Sequence, residues 1–428
     1  MNHKNDNLYL SAQARFIVDF KNIEVDEPTL GHAALVVADT YATAFSGINS
    51  MAFKTAFLSA GKLFGKGDSQ IWGSGKKSSL LGSVFYNTLA ISSTDFDEGH
   101  RKAVGHPASS VVAPALVLGG GLKLGLREIL KSVIIGYEIA SRYSLAREPD
   151  KINSYSSGRW AAFGTAATVS YLLSLDVKKT MQALSNASVL SPYMIGGSTD
   201  VSTGSMSKEG VAWAVQSGLQ SAIFAGNGFS GPYLFLEDHN EYINNLLVKD
   251  LGKSWLINSN YFKPYSCCRW LHPSLKSCSE IINSQKLNIS EIEIIKVFAF
   301  SRLKDLISKK YPENPIMAQF HLPYAIAVML LYNECGPVYF SDDFLYESEI
   351  RKIIDKVKII EDERYTDMFP SELASRIQIK TKKAEFEHEV LKAPWEYGQH
   401  PSKEELKKKF DMQTAKTKHI DWDWFFDY

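Results

Sequence analysis

The chain has 428 residues, which is more than a single hydrophobic core usually serves, so two domains are expected. Its 47 lysine and arginine residues equal its 47 aspartate and glutamate residues, and this balance argues against a nucleic-acid-binding protein. Hydrophobic residues make up 45% of the chain. Its longest charge-free stretch, residues 211–236, contains glutamine, asparagine and proline. These polar and helix-breaking residues favour a buried helix and loop over a membrane span.

The N-terminal residues and the cysteines indicate the compartment. Residues 1–7 are polar and carry no secretory signal, and the four cysteines lack zinc-ribbon spacing. Cys267 and Cys268 are adjacent, which does not suggest a disulfide framework. These features predict a cytoplasmic protein.

Helical patterns dominate the N-terminal part of the chain. Apolar residues recur at helical intervals from Leu126 to Tyr137. Residues 161–175 are rich in alanine and glycine, which suits a helix that packs closely against other helices, and residues 177–190 predict a further helix. Gly226–Gly228 provides the residues that commonly end a helix.

The pattern changes beyond residue 260. Ile292–Phe298 is β-branched and partly alternating, which predicts a strand, and Ile353–Ile360 has the same character. Arg376–Val390 predicts a β-hairpin, and Ala318–Leu331 predicts an apolar helix between the strands.

The C-terminal tail returns to helix, because Ser402–Glu405 has the pattern of a capping box. The aromatic end, Trp422–Tyr428, is expected to pack against the helical part. The sequence therefore predicts a mainly α fold. A large helical domain (residues 1–259 and 396–428) carries a smaller inserted α+β domain (residues 260–395).

Acids and histidines lie close together in Asp95–His100 and Gly105–Pro107. A carboxylate that orients a histidine is a common way to build a general base. A polar surface loop is the plain alternative. A metal site is another, although no second set of ligands with recognisable spacing supports it.

The densest cluster of reactive side chains is Phe262–Pro273. Lys263 and Arg269 within it could neutralise substrate carboxylates and stabilise an enediolate formed by proton loss. Cys267 and Cys268 are possible nucleophiles, but a free cysteine is more often a small buried residue, and we favour burial.

Lys208 lies where a helix is predicted to begin, just before the charge-free stretch. A positive charge there opposes the helix dipole, so a functional role would explain its placement. The alternative is a surface lysine whose amine extends into solvent.

Several cofactor motifs fail on inspection. Gly61–Lys66 resembles a phosphate loop but is one residue short, and Gly67 replaces the required hydroxyl. Gly119–Gly121 follows an apolar helix rather than a strand, and no serine nucleophile elbow occurs. The sequence therefore offers no support for a nucleotide, nicotinamide or flavin cofactor.

Taken together, the segments resemble the MmgE/PrpD family, in order and along nearly the whole chain. No single segment is decisive, but their shared order is hard to obtain by chance. The matching segments are Asp95–Glu98 with Gly105–Pro107 and Pro114–Leu116, Gly158–Gly164, Ser207–Gly218 with Gly228–Pro232, Lys263–Trp270, and Leu322–Ala327.

The resemblance implies a helical domain built from both chain ends, an α+β lid, a homodimer and no required cofactor. It also implies an active site between the helical domain and the lid. Asp95 and His106 fall on the family's active-site acid and histidine, and Lys208 and Lys263 fall on its two lysines. Tyr324 falls on a tyrosine of the lid helix.

Four more residues are candidates for substrate contacts. Arg269 and His272 lie near Lys263 in the sequence, and His100 stands where many relatives have threonine or asparagine. Relatives usually carry a histidine shortly before the segment that begins at Gly158, whereas this chain has Tyr155 there. A phenol can donate a proton or contact a carboxylate, but a decarboxylase mechanism does not transfer directly.

The resemblance implies an enzyme that breaks a C–H bond next to a carboxylate of a small polycarboxylic acid. Lys208, Lys263 and Arg269 would bind the carboxylates, and His106, held by Asp95, would transfer the proton. Loss of water or CO2 would make the protein a lyase, which the family favours. Return of the proton would make it an epimerase, and a non-catalytic member that binds a carboxylate ligand is the third possibility.

Overall fold

The structure is a computed structural model that describes residues 9–148, 156–192, 203–233, 241–284 and 287–428. It is mainly helical with two small sheets among these residues, which confirms the predicted fold class. None of the helices it describes is long and apolar enough to cross a membrane.

The N-terminal part is built from helices and one short hairpin. In chain order its elements are α1 (Tyr9–Asp19), α2 (Glu27–Gly47), α3 (Met51–Phe57), α4 (Ala60–Leu63), β1 (Ser69–Ile71), β2 (Lys76–Ser78), α5 (Leu80–Ser93), α6 (Pro107–Gly121), α7 (Leu126–Leu145), α8 (Ala161–Leu172), α9 (Val177–Leu190), α10 (Val211–Gly226) and α11 (Asn244–Val248).

The rest of the chain mixes helices with four strands and ends in a helix. Its elements are α12 (His272–Ser284), β3 (Ile292–Ala299), α13 (Pro315–Phe320), α14 (Leu322–Tyr332), α15 (Asp342–Leu345), α16 (Ser348–Ile354), β4 (Val357–Glu361), α17 (Glu363–Met368), β5 (Ser375–Thr381), β6 (Glu385–Val390) and α18 (Lys403–Thr414).

The predicted helices α7 to α10 are confirmed, and their small residues permit close packing. A Cβ added at Gly164 of α8 would lie only 2.6 Å from the Cβ of Ala140 on α7. Helix α10 ends at Gly226, and Gly228 follows with φ +93°, as its sequence predicts. These helices support the loops that carry the candidate site residues.

Strands β3 to β6 form one sheet in the order β4-β3-β5-β6. Strand β3 pairs parallel with β4 and antiparallel with β5, and β5 pairs antiparallel with β6. The predicted strand at Ile292–Phe298 and the predicted hairpin at Arg376–Val390 are therefore confirmed.

Two boundaries were predicted wrongly. The helix predicted at Ala318–Leu331 is two helices separated at His321, because Pro323 has no N–H to continue the first helix and instead begins the second. The strand predicted at Ile353–Ile360 is strand only from Val357. Its first residues complete α16, whose isoleucines at helical spacing are buried.

The buried side chains form two large hydrophobic clusters. One joins α1, α2 and α6–α10 to the C-terminal residues Phe410, Trp422 and Phe425, so the aromatic tail packs as expected. The other joins residues 267–393 around the four-stranded sheet. The capping box of α18 is present, since Ser402 and Glu405 each accept a hydrogen bond from the other's backbone N–H. The domain boundaries themselves remain a prediction.

Candidate active site

The loop between α5 and α6 carries the acids that the sequence singled out. Asp95 has φ 51°, a left-handed conformation that aspartate tolerates better than most residues. Gly99 pairs with the backbone of Tyr261, with N–H···O distances of 3.0 and 2.7 Å. A Cβ at Gly99 would lie 2.2 Å from the Tyr261 hydroxyl oxygen. This contact fixes the loop against the segment that leads to Lys263.

His106 stands at the N-cap of α6 and is oriented by its Nδ1 atom. Nδ1 lies 2.7 Å from the backbone oxygen of Glu98. Because a carbonyl oxygen only accepts, Nδ1 must carry a proton, and the ring presents Nε2 to the site. Nε2 lies 3.9 Å from Asp95 Oδ1 and 4.0 Å from Glu209 Oε1, so it has room to contact a substrate atom.

Asp95 and Lys263 form a buried ion pair, with 3.1 Å between Oδ2 and Nζ. The two side chains are 10% and 1% exposed, so water screens them little. Burial alone would raise the pKa of Asp95, but Lys263, Lys208 and His106 outweigh it and hold that pKa well below its usual range. Asp95 is therefore a fixed anion.

Asp97 stands on the other side of the imidazole, with Oδ2 3.4 Å from His106 Nδ1. Burial would lower the pKa of His106, but the carboxylates of Asp97 and Glu209 outweigh it and raise the pKa above 6.5. His106 therefore keeps its Nε2 proton to a higher pH than an unperturbed imidazole does, which favours its use as a proton donor.

Replacing Asp97 with asparagine is expected to lower the pKa of His106, since the substitution removes the acid that contributes most to raising it. NMR titration of the His106 ring protons, assigned by their loss in His106→Asn, would measure the shift. An unchanged midpoint would show that Asp97 does not act on the imidazole.

Glu98 holds the loop rather than facing the site. Its Oε1 accepts the Ala108 N–H at 2.8 Å, and its Oε2 accepts the Tyr137 hydroxyl at 2.9 Å. Burial raises the pKa of Glu98 to about 8. Its side chain therefore joins the loop to α6 and α7, while its backbone oxygen orients His106.

Lys208 enters the site from the segment before α10. It is buried, has φ 48°, and donates from Nζ to Gln319 Oε1 at 2.9 Å. Gln319 in turn donates to the backbone oxygen of Ser93 at 3.1 Å. Across the described ranges, no carboxylate lies within ion-pair distance of Lys208, so this cation remains available for a substrate carboxylate.

A second buried ion pair, Lys409 with Asp39, lies next to the loop between α5 and α6. Lys409 of α18 lies 2.7 Å from Asp39 Oδ1 and donates to the backbone oxygen of Phe96 at 2.8 Å. The C-terminal helix is thereby bonded to the loop between Asp95 and Asp97. The charges of Lys407–Lys409 alone predict a solvated helix face, whereas the structure buries Lys409.

The structure does not bring all the predicted residues together. Tyr324 is fully buried in the second hydrophobic cluster, and its hydroxyl donates to the backbone oxygen of Tyr339 at 2.5 Å. Arg269 forms a buried ion pair with Glu396 and stacks on the ring of Tyr261 at 4.0 Å. Both side chains are already engaged within the protein.

The two further histidines are buried beside the site. His272 places Nε2 3.2 Å from the backbone oxygen of Cys267, and burial together with Lys263 and Arg269 lowers its pKa well below the usual value. His100 accepts the Ala103 N–H at 3.1 Å, and burial lowers its pKa to about 4. Tyr155 lies outside the described residues.

Cys267 is buried and Cys268 half-buried, and burial raises the pKa of both thiols, that of Cys268 to about 12. A thiol so reluctant to ionise is a poor nucleophile, so the preference for burial stands. Over the part of the chain that is described, no group of three or more histidine, cysteine, aspartate or glutamate side chains could hold a metal ion.

Sequence reasoning missed two residues that complete the site. Glu209 follows Lys208 directly, and this adjacency of acid and base was the signal that could have identified it. No pattern in the sequence marks Gln319. Only the folded chain shows that its amide bonds both Lys208 and the backbone oxygen of Ser93 at the end of α5.

Comparisons with known proteins cover almost the whole chain. The profile of the MmgE/PrpD N-terminal domain matches residues 12–251, and that of the MmgE/PrpD C-terminal domain matches residues 265–419. A cis-aconitate decarboxylase of Aspergillus terreus is 23% identical over 349 residues, which are 73% of this chain and 70% of the relative. A cis-aconitate decarboxylase of Aspergillus terreus strain NIH 2624 / FGSC A1156 is 23% identical over 363 residues, 77% and 73% of the two chains.

Proposed function

The chain belongs to the MmgE/PrpD family, and on that premise we propose that it is a cofactor-free lyase that acts on a small di- or tricarboxylic acid. The observation that carries the proposal is the position of His106 Nε2. Nε2 lies 3.9 Å from Asp95 Oδ1 and 4.0 Å from Glu209 Oε1, and the buried amines of Lys263 and Lys208 act on the same Asp95 carboxylate. Two relatives that are 23% identical to this chain are named cis-aconitate decarboxylase, and a decarboxylase is a lyase.

The two lysines have different tasks in this proposal. Lys263 is paired with Asp95 and keeps that anion fixed beside the imidazole. Among the described residues, Lys208 donates to a neutral amide and pairs with no carboxylate, so it binds the substrate carboxylate next to the reacting carbon. Negative charge that develops on this carboxylate as an enediolate is then stabilised where water is largely absent, an effect that contributes about 3–4 kcal/mol per donor in other enzymes.

His106 supplies a proton in either form of the reaction. In a dehydration, a carboxylate of the site takes the proton from the C–H bond, and the electron pair of that bond forms the enediolate. The departing hydroxyl takes the Nε2 proton and leaves as water. In a decarboxylation, the C–C bond breaks, CO2 leaves, and the carbanion takes the Nε2 proton. The raised pKa of His106 favours the form of the ring that carries this proton.

The proposal is tested by product analysis. The purified protein is incubated with citrate, isocitrate, cis-aconitate, malate and aspartate, and each mixture is followed by proton NMR. We expect an unsaturated product or a product shortened by one carboxylate from at least one acid. A changed stereocentre with no group lost would identify an epimerase instead. No change in any mixture would contradict the proposal.

Replacing Lys208 with methionine is expected to weaken binding of propane-1,2,3-tricarboxylate about ten- to a hundredfold, because one charge-assisted contact contributes roughly 1.5–3 kcal/mol. Isothermal titration calorimetry measures the Kd. Lys131→Met is the matched control, since Lys131 is also buried and its Nζ bonds the distant backbone oxygen of Lys21. Equal Kd values for Lys208→Met and the wild type would remove the role given to Lys208.

A further inference from the structure

Glu209 is held beside His106 by one short turn, Ser156–Gly158. The Ser157 N–H donates to Glu209 Oε2 at 2.8 Å, and the Gly158 N–H donates to the Glu209 backbone oxygen at 2.9 Å. The Ser156 hydroxyl donates to the same backbone oxygen. A Cβ at Gly158 would lie 2.3 Å from that oxygen, so the contact requires glycine.

The same turn also fixes His106. The His106 N–H donates to Ser157 Oγ at 3.1 Å, and a Cβ at Gly105 would lie 2.3 Å from this oxygen. Ser157 therefore sets the relative positions of His106 and Glu209. Their Nε2 and Oε1 atoms are 4.0 Å apart, too far for a hydrogen bond but close enough for both to contact neighbouring atoms of one substrate.

Glu209 also has an oxygen without a partner. Oε2 accepts from Ser157, whereas no donor within the described segments bonds Oε1. The Glu209 side chain is 24% exposed and the His106 side chain 14%, against 10% for Asp95 and 3% for Asp97. Of the acids around the imidazole, Glu209 is thus the most accessible to a ligand.

The other acids near His106 are poorly placed to accept a proton from a substrate carbon. Asp95 is paired with Lys263, which holds its pKa well below the usual range and makes it a weak base. Asp97 lies on the Nδ1 side of the ring. Glu98 is bonded to Tyr137 and Ala108.

We propose that Glu209 is a catalytic residue, the base that removes the proton from the substrate carbon, with His106 as the acid of the same reaction. This assignment rests on the proposed lyase function. The C–H bond breaks, its proton moves to Glu209 Oε1, and its electron pair enters the enediolate held by Lys208. The enediolate expels the hydroxyl, which takes the Nε2 proton of His106 and leaves as water. The proton on Glu209 then passes to His106, and both groups return to their starting states.

The assignment also gives a role to the serine-rich turn before Gly158, which holds Glu209 in place. The Glu209 carboxylate lies on the Nε2 side of the His106 ring.

The test is Glu209→Gln. Glutamine keeps the size of glutamate, and its amide oxygen can still accept the Ser157 N–H, so a purely structural role would survive. In D2O, with the acid that the wild type converts, we expect deuterium entry at carbon and turnover to fall at least about a hundredfold. Binding of propane-1,2,3-tricarboxylate should be at least as tight, because a negative charge is removed.

Glu241→Gln is the matched control, since Glu241 is 23% exposed and pairs with Arg159 of the same region. It should exchange deuterium like the wild type. Wild-type exchange in Glu209→Gln would overturn this assignment and leave the lyase proposal standing. No exchange by the wild type with any acid would overturn both. If Glu209→Gln proves less stable than the wild type, Glu209→Asp is measured as well. It restores a carboxylate and must recover part of the deuterium exchange. No recovery would also overturn the assignment.

Discussion

Replacing His106 with asparagine is expected to lower kcat about 10²- to 10⁴-fold while the fold is retained. The asparagine amide nitrogen can take the place of Nδ1 and donate to the backbone oxygen of Glu98, which now lies 2.7 Å from that atom. The substitution removes Nε2 and the ring carbon that joins it to Nδ1, so the group that transfers the proton is lost. The variant therefore separates proton transfer from the orientation of the loop.

The matched control is His419→Asn. His419 also places Nδ1 2.7 Å from a backbone oxygen, that of Thr417, but it lies in the C-terminal tail. Its kcat should equal that of the wild type, and thermal unfolding followed by circular dichroism checks that both variants are folded. A folded His106→Asn protein with wild-type kcat would mean that the imidazole transfers no proton.

Replacing Lys263 with methionine is expected to lower the free energy of unfolding by about 3–5 kcal/mol, because it leaves Asp95 as a buried charge without its partner. Urea unfolding at neutral pH measures the change. In the double variant Asp95→Asn/Lys263→Met no charge is left unpaired, so much of the lost stability should return. A double variant less stable than Lys263→Met would contradict this explanation.

The same pair gives a pH dependence with a definite sign. The pKa of Asp95 is lower in the folded protein than in the unfolded chain, where it is about 3.9. Its contribution to stability is thus fully present above that value and is lost as the pH falls through the folded pKa. The stability difference between the wild type and Asp95→Asn should therefore shrink in strong acid and stay constant near neutrality.

Local patterns in the sequence were enough to predict most of the fold. Helix α18 begins at the Ser402 capping box that the sequence predicts, because such a signal acts within one turn of helix. Strand β3 was predicted from its β-branched residues. The break at His321 was missed because the helical pattern of apolar residues continues across it, and only Pro323 marks it.

The candidate site was predicted less completely, since it depends on contacts between distant segments. The sequence and the family resemblance singled out Asp95, His106 and Lys263, and the structure brings these three together. Tyr324 also matched a motif, yet its hydroxyl bonds the backbone within its own cluster. Spacing along a chain cannot show which way a buried phenol points.

The most direct measurement is deuterium exchange at carbon, followed by proton NMR of the wild-type protein in D2O with a panel of di- and tricarboxylic acids. We expect deuterium to enter a position next to a carboxylate in the wild type, and product formation to fall at least about a hundredfold in His106→Asn. Folded wild-type protein that exchanges no carbon-bound proton in any of these acids would contradict proton transfer by this site.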